Sequence, residues 1–323
     1  MKAISGALCL WAMMGLRLVA AEADFAVADG WLQPPTEMET IGPAHGDVAV
    51  SANGDVYVSI LSGPRPGIQV YSADGKYLRN VPGAPNDFHG FVIHRDPDGE
   101  HIYGGRLEGM EVLKMKLDGE VVLRIPVTSF PAALVNQQDG KPALRLTAVD
   151  VAPDGRIFAV DGYSTDRIHV FDATGKYESS LGGKDSPYEF KTNHKICIDT
   201  RFDPPRVLCC DRESRRVVTL SLDGKVLNVV QQMRRPAAVA VWGDLAAIAE
   251  IEGRVSLLDK EGRTVLTLGE NTVKEQTATN QVKPADWRAG IFTAPHGVDF
   301  DQHGNVFVTE FNQFGRVVRY NRR

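Results

Sequence analysis

A short β-hairpin unit recurs along this chain, and no other feature constrains the fold as strongly. The clearest copy spans residues 294–310, where His296 precedes a strand, a Gly304-Asn305 turn and a second strand. Six copies can be aligned on their first strands, at intervals of 44, 58, 47, 43 and 59 residues, and they begin at His45, His89, Thr147, His194, Ala237 and His296. A repeat of roughly 40 to 50 residues that contains four short strands is typical of a β-propeller. The six copies therefore predict an all-β, six-bladed propeller built from residues 22–323.

The last predicted blade is incomplete, because the chain ends at Arg323 after only three strands. At the other end of the propeller segment, residues 24–27 resemble a lone short strand. An open sheet edge exposes unpaired N–H and C=O groups, which natural proteins avoid. We therefore predict that this N-terminal strand completes blade six and closes the ring.

Three histidines stand at alternate positions of the predicted ring. His89, His194 and His296 open blades two, four and six, and their separations of 105 and 102 residues each span two blades. Alternate blades of a six-bladed ring are related by a rotation of about 120°. The three imidazoles should therefore converge on the channel axis, as a three-histidine metal site with open coordination positions requires. His45 opens blade one, and we expect it to be a fourth ligand or a substrate contact.

The N-terminus predicts export. Residues 1–21 resemble a secretory signal peptide, in which Lys2 precedes an apolar run at residues 3–16. That run is short for a membrane span, and Arg17 interrupts it. We expect an exported, periplasmic or extracellular monomer without a membrane span. The net charge of −5 becomes −7 without Lys2 and Arg17, and no basic run stands out, so nucleic acid is disfavoured as a partner.

Three cysteines remain after the predicted signal peptide, all in blade four. In an oxidising compartment one pair of them can form a disulfide. Cys197 lies on the first predicted strand of the blade, and Cys209 and Cys210 lie on the second. A cross-strand bridge is feasible, and the sequence leaves the partner of Cys197 open.

The loops after the second strands should lie beside the histidines, because each second strand returns to the histidine face. In blades one and two these loops contain Arg65 and Arg106, which we consider as substrate contacts. A repeated spacing of five or six residues separates an acidic residue from an arginine in Asp161–Arg167, Asp211–Arg216 and Glu310–Arg316. We interpret this spacing as structural. Two insertions, at residues 126–146 and 269–292, enter the same face and are candidate rims of a pocket.

Tyr163 and Arg212 interrupt the repeat on adjacent blades. A dication and a guanidinium both favour the phenolate form of a neighbouring tyrosine, which can then act as a general base. The Arg212 guanidinium can hold a substrate carboxylate by two parallel hydrogen bonds. The alternative for each residue is a surface position that packs or solubilises the loop.

Blades three and four contain AVDGYSTDRIHVF and LCCDRESRRVVTL, and several blades start with His-Gly or His-Lys. In these motifs the chain resembles the peptidylglycine α-amidating lyase family, a branch of the NHL-repeat propellers. The resemblance implies a zinc ion bound by His89, His194 and His296, with Tyr163 and Arg212 as catalytic residues. It implies cleavage of a peptide that ends in α-hydroxyglycine, or of a related small molecule, into an amide and glyoxylate.

The chain departs from this family at three positions. The family's arginine in the first-blade loop has Arg65 as its nearest candidate here. An acidic residue after the third histidine, which the family associates with a structural calcium, is replaced by Gly297. A methionine two residues before that histidine is Ala294.

Two other functions stay open at this stage. One is a non-catalytic binding propeller, whose histidines are structural or hold a metal without turnover. The other is a lactonase-type six-bladed propeller. Lactonase sites of this type use carboxylates and asparagine around calcium, so the imidazole-rich ring disfavours that function. Iron or copper would accept three imidazoles as zinc does.

Overall fold

The computed structural model describes residues 24–323, which form six four-stranded antiparallel sheets and one small two-stranded hairpin. No α-helix occurs within residues 24–323. Short 3-10 helices lie in the connections, at Val127–Ser129, Ala132–Leu134, Lys274–Gln276 and Pro284–Asp286. The predicted all-β, six-bladed propeller is confirmed.

Each blade is a meander in which consecutive strands pair with one another. The strands of blades one to three are Val48–Val50, Val56–Ile60, Gly67–Tyr71 and Tyr77–Asn80; Phe88–Asp96, Gly99–Arg106, Glu111–Lys116 and Val121–Pro126; and Ala148–Val151, Ile157–Val160, Arg167–Phe171 and Tyr177–Gly182. Those of blades four to six are Asn193–Asp199, Arg206–Asp211, Arg216–Ser221 and Val226–Val230; Pro236–Trp242, Leu245–Glu250, Arg254–Leu258 and Thr264–Leu268; and Pro295–Phe300, Val306–Glu310 and Arg316–Arg322. The hairpin between blades two and three consists of Asn136–Gln138 and Lys141–Ala143.

The sixth blade takes its outer strand from the other end of the chain, as predicted. Phe25–Val27 pairs antiparallel with the last strand, Arg316–Arg322, and places Phe25 opposite Arg322. The Phe25 side chain is buried in the apolar core between blades five and six. The propeller is thus closed by backbone pairing and by burial of the Phe25 side chain. Both oppose the opening of blade six.

The core consists of apolar layers between neighbouring blades. The layer between blades three and four, for example, joins Phe158 and Ile168 to Ile196 and Leu220. The inner strands are buried on both faces, and every residue of Val56–Ile60 is buried. Continuous burial of this kind explains why these strands are rich in β-branched and aromatic residues.

The three cysteines are free, so the bridge considered from the sequence is absent. The register explains this, because the residue directly opposite Cys197 is Leu208. Cys209 and Cys210 are consecutive in a strand and therefore point to opposite faces of the sheet. Cys209 packs between blades three and four, and Cys210 packs between blades four and five. Burial raises the pKa of the Cys197 and Cys209 thiols, which keeps them unreactive.

The repeated acid–arginine spacing forms ion pairs in two of its three blades, Asp211–Arg216 and Glu310–Arg316, with N···O distances of 2.7 and 2.8 Å. Blade five has a similar pair at a spacing of four residues, Glu250–Arg254, at 2.8 Å. Blade three differs, because the Asp161 carboxylate accepts hydrogen bonds from the Arg145 backbone N–H at 2.7 Å and from the Thr165 hydroxyl at 2.7 Å. The structural interpretation therefore fits blades four and six, whereas in blade three the acid holds a loop.

The predicted signal peptide, residues 1–21, lies outside the described residues. Within the described part of the chain, no helix has the length and apolarity that a membrane crossing requires.

Candidate metal centre

His89, His194 and His296 each lie at a β-bulge near the start of a first strand. The strand register shifts across each histidine, between Phe88 and Gly90, Asn193 and Lys195, and Pro295 and Gly297. A bulged residue is left out of the hydrogen-bond ladder, so its side chain can be aimed away from the pleat. The three rings are buried, and their centroids lie 4.8 to 5.0 Å apart. The structure brings the three histidines together at the channel mouth, and their role as ligands stays a prediction.

Each of these histidines uses its Nδ1 atom in a hydrogen bond to the backbone of the next blade. The Nδ1···O distances are 2.9 Å from His89 to Thr147, 2.6 Å from His194 to Ala237 and 3.3 Å from His296 to Gly46. A carbonyl oxygen can only accept, so Nδ1 carries the proton and Nε2 keeps its lone pair. Histidines that bind metals usually have such a second hydrogen bond, which fixes the ring.

The glycine after His89 has a steric purpose. A Cβ atom on Gly90 would lie 2.2 Å from the Thr147 carbonyl oxygen, the same oxygen that accepts the His89 Nδ1 hydrogen bond. Only glycine lets the two backbones approach closely enough for this bond. In blade two, glycine after the histidine is thus required by the way the imidazole is held, whereas His194 makes the equivalent bond with Lys195 after it.

His45 joins the same group from blade one. Its ring centroid lies 5.0 Å from those of His89 and His296 and 4.5 Å from that of Phe311. The ligand atoms of His45, His89 and His296 all lie within 4.8 Å of one another. The histidine set whose ligand atoms come this close thus contains His45 in place of the predicted His194. Both predicted roles of His45 stay open.

Burial keeps the four imidazoles neutral. Desolvation is the main cause, and it lowers the pKa of His89 to about 3 and that of His45 to about 4. The pKa values of His194 and His296 also lie well below the ordinary value, and desolvation is the largest cause for each. The next cause is the positive charge of Arg212 for His194, and for His296 it is the repulsion that protonation beside His45 would produce. Neutral imidazoles are the form that binds metal ions.

The Nε2 atoms are short of hydrogen-bond donors. The Nε2 atom of His296 is buried without a hydrogen-bond partner. The Nε2 atoms of His89 and His194 both face the Tyr163 hydroxyl, at 3.1 and 3.0 Å. One hydroxyl has one proton, so it can satisfy only one of these two lone pairs. A buried acceptor without a donor destabilises a protein by about 1–3 kcal/mol, and a divalent cation would satisfy several at once, so this donor set fits a metal ion.

The two predicted catalytic residues lie together over the histidines. The Tyr163 hydroxyl is 3.2 Å from Nη1 of Arg212, and the guanidinium carbon lies 5.4 Å from the centroid of the tyrosine ring. The Nε atom of Arg212 donates to Glu213 at 2.9 Å, which orients the guanidinium. Both side chains are half-buried, so they remain accessible to a ligand.

The other two predicted substrate contacts are held elsewhere. The Arg65 guanidinium pairs with Glu37 and donates to the Tyr77 hydroxyl at 3.1 Å. Arg106 pairs with Asp87 and Glu111, both at 2.8 Å. These contacts tie loops within blades one and two and do not involve the histidines. The substrate-binding role of Arg65 and Arg106 therefore stays a prediction that their contacts do not support.

The residues beneath the ring do not fit the calcium ion that the resemblance implies. A Cβ atom on Gly297 would lie 2.6 Å from Oδ1 of Asp47, so the carboxylate fills the space that the glycine leaves. The buried ammonium of Lys195 pairs with Asp47 and donates to the Phe91 carbonyl at 3.3 Å. Desolvation opposes its charge, but Asp47 raises the pKa of Lys195 above the ordinary value. An ammonium there repels a dication. Sequence analysis missed this pair, for which the His-Lys start of blade four was a signal.

One cavity borders two of the histidines and another borders Tyr163. One of about 220 Å³ lies between blades one and two and is lined in part by His45 and His89. Another of about 480 Å³ lies beside Tyr163 and the hairpin Asn136–Gln138 and Lys141–Ala143. The first predicted insertion therefore borders the site. The second insertion instead lines a cavity of about 310 Å³ beside the closing strand.

No protein-family model matches the chain. Among curated proteins, it is 27% identical over 188 residues to peptidyl-alpha-hydroxyglycine alpha-amidating lyase 2 of Drosophila melanogaster, a match that covers 54% of this chain and 42% of that protein. It is 31% identical over 99 residues to the probable peptidyl-alpha-hydroxyglycine alpha-amidating lyase pgal-1 of Caenorhabditis elegans. This match covers 29% of this chain and 27% of that protein. The matches span less than half the length of these relatives.

Solved structures share the fold at low identity. A streptogramin B lyase has a TM-score of 0.59 at 13% identity and covers 93% of this chain and 99% of its own. A gluconolactonase from Xanthomonas campestris has a TM-score of 0.59 at 14% identity. The match covers 88% of this chain and 89% of the gluconolactonase chain. Because these likenesses show the fold alone, the chemistry indicated by the comparisons comes from the curated relatives. The chain is a six-bladed β-propeller that resembles the peptidyl-α-hydroxyglycine α-amidating lyases.

Proposed function

We propose that this protein is a metal-dependent lyase that cleaves a carbinolamide, the N-acyl-α-hydroxyglycine group, into an amide and glyoxylate. One observation carries the proposal: the Tyr163 hydroxyl lies within 3.2 Å of two imidazole Nε2 atoms and of the Arg212 guanidinium. A phenol, a carboxylate-binding cation and a metal-binding ring thus share one small volume. The names of the curated relatives agree with this reaction.

The metal ligands in this proposal are His89, His194 and His296, with His45 as a fourth ligand or a substrate contact. Zinc suits a set of neutral imidazoles with an open position. When bound there, the ion supplies Lewis acidity that makes the substrate hydroxyl more acidic. The Nδ1 hydrogen bonds of the three histidines hold their lone pairs toward this position.

Arg212 binds the substrate carboxylate, and Tyr163 moves the proton. The phenolate oxygen takes the proton of the substrate hydroxyl, and the hydroxyl oxygen forms the C=O bond of glyoxylate. The C–N bond breaks, and its electron pair leaves with the amide nitrogen. That nitrogen needs one proton, which the neutral Tyr163 can return. The reaction consumes no water, oxidant or reductant.

We further propose that the protein is exported and acts as a monomer on the C-terminus of a peptide or on a small N-acyl compound. Nucleic acid is not among the proposed partners, because the sequence carries a net charge of −5 and no basic run stands out. Export would expose the centre to extracellular substrates.

The experiment compares glyoxylate release from N-acetyl-phenylalanyl-α-hydroxyglycine by wild-type protein, Tyr163→Phe and Tyr177→Phe, with metal content measured on each. Tyr177 is the control, because it lies on the outer strand of the same blade and bonds to Ser180. We expect only Tyr163→Phe to lose activity while it keeps its metal. Undiminished release by Tyr163→Phe would refute the assigned base.

The same samples test the alternatives. Bound metal without turnover of any carbinolamide would favour a binding propeller. Calcium-dependent hydrolysis of sugar lactones, with no transition metal bound, would favour a lactonase.

A further inference from the structure

The cavity between blades one and two opens directly on the histidines. His45 and His89 are among the residues that line it, and its volume is about 220 Å³. Leu61, Phe88 and Leu107 form its apolar wall. Leu61 is 44% exposed, so it is accessible to a ligand that enters the cavity.

Apart from the imidazoles, the polar side chains around this cavity are engaged with the protein, and Glu108 lies 3.4 Å from Arg145. The Asn86 side-chain amide donates to the Leu61 carbonyl at 2.7 Å, and the Ser59 hydroxyl donates to the Phe88 carbonyl at 2.7 Å. The carboxylate of Asp87 accepts hydrogen bonds from Arg106 at 2.8 Å and from the Gly109 backbone at 2.8 Å. A ligand in the cavity would therefore meet mainly carbon atoms.

The cavity lies across the ring from the proposed carboxylate-binding residue. Arg212 follows the second strand of blade four, and blades one and four are opposite each other in a six-bladed ring. A substrate whose carboxylate meets Arg212, and whose reacting carbon lies over the histidines, extends its acyl side toward blades one and two. That side of the molecule then enters the cavity.

We propose that this cavity is an apolar subsite that binds the group next to the scissile amide. The preferred substrates are then N-acyl-α-hydroxyglycines with a phenyl-sized or branched aliphatic group at that position. A cavity of about 150 Å³ is large enough to hold benzene, so the volume suits such a group. This inference rests on the proposed function, because it uses the position of Arg212 as the carboxylate site.

The first test compares kcat/KM for N-acetyl-phenylalanyl-α-hydroxyglycine and N-acetyl-glycyl-α-hydroxyglycine. We expect the phenylalanyl substrate to be better by about 10- to 100-fold, the range for burial of a side chain in an apolar pocket. Leu61→Asp and Leu107→Asp should each remove most of this preference. Leu227→Asp is the matched control, because Leu227 is 43% exposed on the outer strand of blade four. It should keep the full preference.

The second test separates the subsite from the reaction. N-acetyl-phenylalanyl-glycine and N-acetyl-glycyl-glycine lack the hydroxyl group and cannot react, so calorimetry measures their binding alone. Tighter binding of the phenylalanyl compound, lost in Leu61→Asp, would support the subsite even if no carbinolamide were cleaved. Equal binding of the two compounds, or a preference that persists in both aspartate variants, would overturn the subsite whether or not glyoxylate is released.

Discussion

The mouth of the central channel and its interior both bury polar side chains, but they leave them in different states. In the interior, Lys195 has Asp47 and a carbonyl as partners, and Asp299 accepts two backbone N–H groups at 2.8 Å each. At the mouth, the imidazoles bond to the backbone through Nδ1. The Nε2 atoms of His89 and His194 share the single Tyr163 hydroxyl, and that of His296 has no partner. Buried polar groups that have all their hydrogen-bond or ion-pair partners stabilise the fold. Lone pairs that converge on one point without enough donors instead indicate a binding site.

The largest expected effect would come from removal of a mouth histidine. His296→Ala should reduce bound metal from about one ion per chain to almost none and abolish glyoxylate release, because a catalytic metal needs about three protein ligands. Elemental analysis of purified protein measures the first effect. His169→Ala is the control, since the Nε2 atom of His169 is also buried without a partner but lies alone beside Phe130. Equal metal content in wild type and His296→Ala would break the distinction between mouth and interior.

Removal of the interior charge should change stability. Lys195→Met leaves the Asp47 carboxylate buried without its cation, so we expect a loss of about 3–5 kcal/mol in the free energy of unfolding. Denaturant titration measures it. The double variant Lys195→Met with Asp47→Leu should recover much of the loss, because no uncompensated charge remains. If added calcium restored wild-type stability to Lys195→Met, the interior would be a latent cation site rather than a closed ion pair.

A change in the support of one imidazole should have an intermediate effect. In Gly90→Ala the added Cβ atom conflicts with the Thr147 carbonyl, which accepts the His89 hydrogen bond. Loss of such a supporting bond weakens metal affinity by about 10- to 100-fold. Competition with a chelator measures the affinity. Gly54→Ala, in a turn of blade one whose nearest neighbour is 3.5 Å away, is the comparison, and it should leave the affinity unchanged.

The smallest expected effect is a pH dependence outside both regions. Burial lowers the pKa of His169 to about 4, so between that value and about 6.5 the unfolded chain binds more protons than the folded one. The stabilisation of the folded state by neutral His169 is therefore complete above pH 6.5 and is lost as the pH falls toward 4. At pH 5 the loss should be about 1–2 kcal/mol. Denaturant titrations at pH 5 and 8 should show a smaller change in His169→Gln. The exposed His303→Gln should match wild type.

Much of the fold was predictable because the repeat itself was visible. The six hairpin units and the lone strand at residues 24–27 are local patterns, and their period determines the ring and its closure. The convergence of His89, His194 and His296 followed from that period alone. Symmetry relates the blades, so one-dimensional spacing is enough to predict this three-dimensional arrangement.

The remaining parts depend on contacts between residues that are distant in the sequence. The Asp47–Lys195 pair joins blades one and four. The His-Lys start of blade four marks the lysine, but no local pattern indicates that its partner is Asp47. The positions of Arg65 and Arg106 depend on whether a nearby acid binds the guanidinium, and Glu37 and Asp87 do so. The pairing of Asp161 with Thr165 instead of Arg167 also depends on side-chain direction within one loop.

The strand Phe25–Val27 joins the two ends of the chain in the blade that supplies His296. Closure by this strand holds blade six, and with it His296, in the ring beside the other imidazoles. In the proposed function, metal binding and ring closure would therefore be thermodynamically linked. A ligand that binds only the closed ring stabilises the closed ring by mass action. A bound cation would then stabilise the closed ring. Its removal would loosen the pairing of Phe25–Val27 with the last strand before the rest of the molecule.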